Sequence, residues 1–172
     1  EKTEFLGYTD SECVSKVVRI IVDGEAVEQV SEGECSLILD KTVFYGEGGG
    51  QIGDTGAITA DGLTVSVNDT QKSDGVYIHL ATVHEGTLKV GDTVRVGVEV
   101  LRRLAIMRNH SACHLLQAAL RNVLGTHVEQ AGSYVSDTVC RFDFTHFAGL
   151  TAKELQTVEE KVNEKLFAAL DV

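Results

Sequence analysis

Residues 108–116 read Arg-Asn-His-Ser-Ala-Cys-His-Leu-Leu, and the pattern of the chain changes around them. From about Leu101 apolar residues recur at helical spacing, and Gly125 is typical of the residue that follows a helix. His110 and His114 are four positions apart, so the predicted helix places both imidazoles on one face. Two histidines so placed can bind one metal ion without movement of the backbone. The stretch predicts either half of a metal site or two ordinary helical residues.

The composition is that of an ordinary globular chain with an acidic balance. Of the 172 residues, 43% are hydrophobic and 24% are charged, which suits one or two packed domains. No apolar run approaches the ~18 residues of a membrane helix, so no membrane partner is expected. The net charge of −11 argues against indiscriminate nucleic-acid binding, and we predict no DNA partner. The chain begins at Glu1 without a methionine, and we expect it to be a fragment.

The cysteines and the remaining histidines show no recognisable spacing. Widely scattered cysteines argue against a disulfide framework and favour a reducing, cytoplasmic location. We interpret the histidines outside the 110–114 pair as surface or core-edge residues. The cysteines are Cys13, Cys35, Cys113 and Cys140, and the other histidines are His79, His84, His127 and His146.

Short β-rich runs with turn signals between them fill the first hundred residues. Residues 17–22 end at Asp23-Gly24, a dipeptide that commonly closes a hairpin. Spacing of roughly ten residues between runs predicts a small antiparallel barrel, which we place over residues 1–98. Residues 88–94, Leu-Lys-Val-Gly-Asp-Thr-Val, resemble the barrel corner of translation elongation factor domains. The further runs lie at 35–40, 56–58, 63–67, 77–83 and 86–96.

A mixed helix and strand pattern follows, and we predict a second domain over residues 99–172. After the histidine helix, residues 127–147 predict strand, turn and strand, with Gly132-Ser133 as the turn. Thr151 and Glu154 have the spacing of a capping box that opens a further helix. That helix carries apolar residues at core spacing: Leu155, Val158, Val162, Leu166 and Ala169.

Residues 43–56 lie between predicted strands and contain six glycines within eleven positions, 46 to 56. One interpretation is a flexible hairpin loop. The other is a backbone that a ligand approaches closely, because glycine has no Cβ and permits positive φ. The stretch is not a P-loop, since no Gly-Lys-Ser/Thr follows it, and it is not a dinucleotide fingerprint, since no helical pattern follows it.

Three stretches stand in a specific order along the chain. Residues 44–56 carry Gly-Gly-Gly-Gln, residues 109–114 read Asn-His-Ser-Ala-Cys-His, and residues 124–133 carry Leu-Gly-Thr-His-Val before Gln130. Together they resemble the alanyl-tRNA synthetases, in the region that edits mischarged tRNA after transfer, and the related freestanding alanyl-tRNA editing proteins. The resemblance covers essentially the whole chain.

The resemblance implies an α+β fold with an incomplete zinc site. A small antiparallel β-barrel, elongation-factor-like, would precede an α+β editing core that is truncated at its C-terminus. His110 and His114 are implied as two zinc ligands, and the family's other ligands form a Cys-x-x-x-His pair that this sequence lacks. We therefore expect the remaining Cys and His ligands downstream of Val172. ATP and magnesium would serve only an aminoacylation domain outside this chain.

The activity that the resemblance implies is hydrolysis of mischarged Ser-tRNA(Ala) and Gly-tRNA(Ala), in a parent enzyme that attaches alanine to tRNA(Ala) with ATP. The fragment alone is expected to be inactive. Its implied partner is the acceptor end of tRNA(Ala). The implied catalytic residues are Gln130 and Gln51, and the implied substrate-binding residues are Gly48, Gly49, Gly50, Cys113 and Arg108.

Several alternatives stay open at the level of sequence. A freestanding editing protein and a non-catalytic barrel module that only positions tRNA both fit the pattern. Threonyl-tRNA synthetases have a similar pair of histidines, but the Gly-Gly-Gly-Gln motif and the barrel favour the alanyl family. Arg102, Arg103 and Arg108 are interpreted either as contacts to acceptor-end phosphates or as a solvated helix face.

Overall fold

The computed structural model describes residues 2–168, so position Ala169 of the predicted terminal helix lies outside the described residues. The described chain divides into two compact units. The first contains the chain through Gly48 and then Ile52–Arg103, and the second contains Gly49–Gln51 and the chain from Leu104 onward. The domain bounds 1–98 and 99–172 stay a prediction. The assignment of Gly49–Gln51 to the second unit is not a feature that the sequence pattern predicts.

The first unit is built mainly from β-strands. In chain order they are β1 (Glu4–Phe5), β2 (Glu12–Val22), β3 (Glu25–Val27), β4 (Gln29–Val30), β5 (Gly33–Leu39), β6 (Lys41–Thr42), β7 (Gly56–Ala60), β8 (Leu63–Ser73), β9 (Val76–Glu85), β10 (Leu88–Lys89) and β11 (Thr93–Val98).

Six of these strands close into a barrel. Hydrogen-bonded neighbours follow the order β11-β7-β8-β9-β5-β2, and β11 pairs with β2 as well as with β7. All of these pairings are antiparallel, and β3 forms a hairpin with the end of β2. The small antiparallel barrel predicted from the sequence is confirmed.

Turn chemistry and alternation explain why these residues form the barrel. Asp23 and Gly24 both have positive φ, 51° and 83°, as a two-residue hairpin turn requires, so the predicted turn is confirmed. Along β5 the side chains alternate between buried and partly exposed, with every second residue facing the barrel interior. The interior is filled by aliphatic residues and one phenylalanine: Val17, Ile20, Leu37, Leu39, Val43, Phe44, Ile58, Val65, Val83, Leu88, Val94 and Val96.

His79 is part of this interior, and the prediction that it lies at the surface or core edge is wrong. Its side chain is fully buried, with Nε2 2.8 Å from Thr42 Oγ1 and Nδ1 3.0 Å from the Leu37 carbonyl oxygen. Burial lowers the pKa of His79 from its usual value to about 4, so the ring is neutral at neutral pH. Spacing alone gave no indication of these partners, which lie 37 and 42 residues away along the chain.

The second unit combines helices with one β-hairpin. Its elements are α1 (Val100–Leu124), whose first turn belongs to the first unit, β12 (Gln130–Val135), β13 (Cys140–Phe144) and α2 (Ala152–Phe167). Helix α1 ends where predicted, since Gly125 has a φ of 120° and its N–H bonds the Arg121 carbonyl oxygen. The predicted capping box of Thr151 and Glu154 is confirmed. Residues of α1, β13 and α2, together with two from the connecting segments, share one small core: Leu116, Ala119, Leu120, Val123, Leu124, Val128, Phe142, Phe144, Leu150, Val158 and Val162.

The prediction of a turn at Gly132-Ser133 is wrong. Gly132-Ser133 is not a turn but lies within β12, where the register with β13 shifts between Gln130 and Gly132 as at a bulge. The turn follows β12. The Ser136 hydroxyl oxygen stabilises it by accepting hydrogen bonds from the backbone N–H groups of Thr138 and Val139.

Helix α2 buries a narrower stripe than its apolar spacing predicts. Val158 is buried and Val162 packs against the same core, but Leu155 is 55% and Leu166 50% exposed. The core is reached by Val158 and Val162, which are one turn apart, whereas the leucines one turn before and one turn after them are not part of it. Within residues 2–168 no helix is both long enough and apolar enough to cross a membrane.

Candidate functional site

The Gly49–Gln51 segment lies along the edge of β12 within the second unit. The Val135 N–H donates to the Gly50 carbonyl oxygen at 2.7 Å, and Gln51 forms an isolated parallel bridge with Val135. Ser133 Oγ adds a longer hydrogen bond, 3.4 Å, to the Gly49 carbonyl oxygen. Three residues of the glycine-rich motif therefore lie against β12, as a turn at Gly49 and Gly50 followed by the bridge at Gln51.

Gly50 is the position where this approach requires glycine. Its φ is +83°, a conformation that side-chain-bearing residues rarely adopt. A Cβ at this position would stand 2.6 Å from Ser133 Oγ and closer still to the Ser133 carbonyl oxygen. Neighbouring Gly49 also has positive φ, +61°, but a Cβ there meets nothing within 4 Å. The close approach at Gly50 is made by β12 of the chain itself, so the interpretation of the motif as a place for a ligand stays a prediction.

The segment places Gln51 against the histidine helix. Gln51 Oε1 lies 2.6 Å from His110 Nδ1, and the imidazole rings of His110 and His114 stack with centroids 5.2 Å apart and planes 21° from parallel. His110 is half-buried and His114 is exposed. The predicted pair of histidines on one helix face is thus present, and the structure adds a polar partner from the glycine motif.

The two imidazoles fit half of a zinc site by the chemistry of their donors. Neutral imidazole nitrogen is a preferred zinc ligand, and i, i+4 spacing on one helix suits a shared ion. A structural zinc needs four ligands and a catalytic zinc three, however. No group of three or more His, Cys, Asp or Glu side chains in the part of the chain that is described could hold a metal ion. The expectation that further ligands lie downstream of Val172 stays a prediction.

Gln130 belongs to the same unit, at the start of β12. Its side chain is exposed, and its Nε2 donates to Ser133 Oγ at 3.0 Å. Because Ser133 Oγ also faces the Gly49 carbonyl oxygen, one hydroxyl joins Gln130 to the glycine segment. Gly48, by contrast, belongs to the first unit, where its carbonyl oxygen accepts a long hydrogen bond, 3.4 Å, from the Tyr45 hydroxyl. The substrate roles predicted for these residues stay predictions.

Cys113 lies on the buried side of α1. Its side chain is 6% exposed, and its Sγ is 3.8 Å from the Arg141 carbonyl oxygen of β13. Burial, with the neighbouring Cys140 thiol, raises the pKa of Cys113 to about 11. The strand that carries Cys140 therefore packs beside the helix, and Cys113 is a neutral thiol in the described structure.

Two of the three arginines considered for phosphate contacts have other partners in the first unit. The Arg103 guanidinium forms a buried ion pair with Asp54 and donates to the Val43 and Gly7 carbonyl oxygens. Arg102 donates to the Gly53 carbonyl oxygen at 3.0 Å. For Arg103 both interpretations made from the sequence are wrong, since its charge neither faces solvent nor is open to a phosphate. Asp54 pairs with this guanidinium from 49 residues away, and no spacing in the sequence predicts that role.

The second unit also contains Arg108 and a second pair of neighbouring histidines, His127 and His146. Arg108 is exposed on α1. His127 Nε2 lies 2.9 Å from His146 Nδ1, and the exposed Phe147 ring stacks on His127 with centroids 4.6 Å apart. These two histidines are 19 residues apart, a spacing that does not indicate in the sequence that they are neighbours.

Comparison with known proteins shows the family of the chain. Residues 1–102 match the family model described as tRNA synthetases class II (A). The chain belongs to this family.

Curated relatives match over nearly the whole chain. Proteins named alanine–tRNA ligase from Acetivibrio thermocellus, Alkaliphilus oremlandii and Leptospira biflexa are 49%, 47% and 46% identical to it, each over 99% of this chain. The alignments take in 20%, 20% and 19% of those proteins. The chain thus spans about a fifth of the length of these relatives.

Proposed function

We propose that the chain is part of an alanine–tRNA ligase and forms much of its editing region, which hydrolyses Ser-tRNA(Ala) and Gly-tRNA(Ala) and spares Ala-tRNA(Ala). One observation carries the proposal: the Gln51 side chain of the glycine motif is hydrogen-bonded to His110, which stacks on His114, and all three residues belong to one compact unit. The three motifs behind the resemblance to alanyl-tRNA synthetases thereby meet through Gln51, His110 and the Gln130–Ser133 hydrogen bond.

The need for such a region follows from the limits of binding. An amino-acid pocket that accepts alanine cannot strongly reject glycine, which is smaller, and rejects an added hydroxyl only about 100-fold. A second site that hydrolyses the wrong ester removes these errors after transfer. The reaction is attack of water on an ester carbonyl, which requires a held substrate and donors aimed at the developing oxyanion.

The residues of this chain supply parts of that site. The exposed Gln130 amide, oriented by Ser133, would hold the aminoacyl group. Gly49, where a Cβ would meet nothing within 4 Å, would let the 3′-terminal adenosine approach the backbone. The Cys113 thiol, a small buried group, would shape the wall of the amino-acid pocket.

Charge and metal complete the proposed site. The exposed Arg108 would contact acceptor-end phosphates. His110 and His114 would hold zinc, which when bound supplies a Lewis acid and a template for substrate or water. Their remaining protein partners would be the Cys and His ligands expected beyond Val172.

Deacylation assays on the whole protein that contains the chain test the proposal. We expect it to hydrolyse Ser-tRNA(Ala) and Gly-tRNA(Ala) but not Ala-tRNA(Ala). His110→Ala and Gln130→Leu should each slow hydrolysis by about 100-fold, the usual effect of removing one such group. Neither variant should change the rate of alanine attachment to tRNA(Ala).

Gln156→Leu is the matched control for Gln130→Leu, because Gln156 is an exposed glutamine on α2 whose side chain bonds Glu160. We expect it to leave hydrolysis unchanged. If the two site variants hydrolyse Ser-tRNA(Ala) at the wild-type rate, the site assignment is wrong. If the whole protein binds tRNA(Ala) and hydrolyses no mischarged form, the region only positions tRNA.

A further inference from the structure

We propose that Gln51 is a positioning residue for His110: its side-chain oxygen accepts the Nδ1 proton, so that Nε2 presents its lone pair to a divalent cation. The cation rests on the proposed function, whereas the proton position rests only on contacts within the second unit. This role differs from the catalytic one predicted for Gln51 from the sequence, because the side chain acts through a histidine and not on the substrate.

The first support is the short contact itself. The two atoms 2.6 Å apart are Gln51 Oε1 and His110 Nδ1. A carboxamide oxygen only accepts hydrogen bonds, so the nitrogen facing it must carry the proton. A neutral imidazole has one N–H and one lone pair, and the lone pair then resides on Nε2. Which nitrogen of a histidine binds a metal is set in this way by the hydrogen bond of the other.

The second support is the anchoring of Gln51. Its backbone bridges Val135 of β12, and the preceding residue, Gly50, accepts the Val135 N–H. The side chain therefore starts from a backbone position that the sheet edge determines. A ligand-orienting group is effective only when its own position is held, and here β12 holds it.

The third support is the relation of His110 to its neighbour. The two rings of the pair stack with centroids 5.2 Å apart, and His110 is the less exposed of the two. Rotation of the His110 ring by half a turn about its χ2 angle would withdraw Nδ1 from Gln51 and remove this hydrogen bond. Gln51 thus selects one ring orientation as well as one tautomer.

The proton position is measurable without any metal. Long-range ¹H–¹⁵N correlation spectra of the 172-residue chain at pH 8, above the usual histidine pKa of about 6.5, report which imidazole nitrogen is protonated. We expect Nδ1–H for His110 in the wild type and a shift toward Nε2–H in Gln51→Leu, which keeps the bulk and removes the acceptor. Gln51→Glu keeps an acceptor and should keep Nδ1 protonated.

Matched controls separate this role from a general loss of structure. Gln156→Leu makes the same chemical change in the same unit and should leave the His110 spectrum unchanged. His84, whose Nε2 lies 2.8 Å from Ser66 Oγ on the barrel, is an internal reference whose signals should not move in any variant. A wild-type His110 protonated at Nε2, or a Gln51→Leu variant that keeps Nδ1–H, would overturn the positioning role.

Zinc affinity of the whole protein, measured by chelator competition, tests the second half of the proposal. Gln51→Leu should weaken zinc binding by about 10- to 100-fold, the usual effect of losing a group that orients a ligand, and Gln51→Glu should restore it. Equal affinity in the wild type and Gln51→Leu would overturn the effect on the cation. If the wild-type protein binds no zinc while His110 keeps its Nδ1 proton, the zinc site of the proposed function is wrong and the proton assignment is supported.

Discussion

Replacement of Gly50 by alanine should detach the glycine segment from β12. The new methyl group would stand 2.6 Å from Ser133 Oγ and closer to the Ser133 carbonyl oxygen, and backbone atoms cannot move aside as a flexible side chain can. The φ of +83° adds about 1–2 kcal/mol of strain for an L-residue. Loss of the Val135–Gly50 hydrogen bond costs about 1 kcal/mol more. We expect the docked state of the segment to lose about 2–3 kcal/mol.

Hydrogen exchange at the Val135 amide measures this loss directly, because its N–H donates to Gly50. A loss of about 2 kcal/mol corresponds to roughly 30-fold faster exchange. Gly49→Ala is the control: its φ of +61° adds a similar strain, but its Cβ meets nothing within 4 Å, so exchange should rise several-fold less than in Gly50→Ala. Equal protection of Val135 in the two variants would refute the argument that Gly50 allows a close approach.

Three further predictions concern stability and metal content. The folded pKa of His79, about 4, lies below the usual 6.5, so its contribution is complete above pH 6.5 and is lost as pH falls toward 4. The unfolding free energy should fall by about 3 kcal/mol over that pH window in the wild type, and by less in His79→Leu. Acid titration followed by circular dichroism measures both changes. Asp54→Asn leaves the largely buried Arg103 charge without its ion-pair partner and should lower the free energy of urea unfolding by about 3 kcal/mol. Glu12→Gln, which breaks the exposed pair with Arg95, should lower it by less than about 1 kcal/mol. The isolated chain, dialysed against zinc and then buffer, should retain well under one zinc per chain by metal analysis; stoichiometric zinc would contradict the half-site.

Local signals in the sequence are sufficient for most of the barrel and for the helix ends. Asp23-Gly24 has the positive φ values that its hairpin turn requires, and Gly125 ends α1 because it adopts a φ open mainly to glycine. The capping box at Thr151 forms because both of its hydrogen bonds join residues three positions apart. These features depend only on residues that are close together in the chain, so the sequence is enough to predict them.

Long-range contacts are what the sequence could not reveal. Gln51 meets His110 across 59 residues, and Asp54 pairs with Arg103 across 49. Neither contact has a periodic pattern, because each depends on where two separately formed elements come to lie. At Gly132 a local signal gave the wrong prediction. The glycine is typical of a turn, but it lies at an irregularity within β12, where β13 pairs beside it.

The division of the glycine motif between the compact units has a practical consequence for dissecting the protein. The second unit is discontinuous in sequence, since Gly49–Gln51 belong to it while the residues on either side belong to the first. A gene segment that starts at Leu104 encodes the histidine helix, the hairpin and α2 but omits the edge segment beside β12. Its product would keep His110 and lack the side chain that orients it. Exchange of the second unit between related proteins therefore needs two cut points inside the glycine motif in addition to one after Arg103.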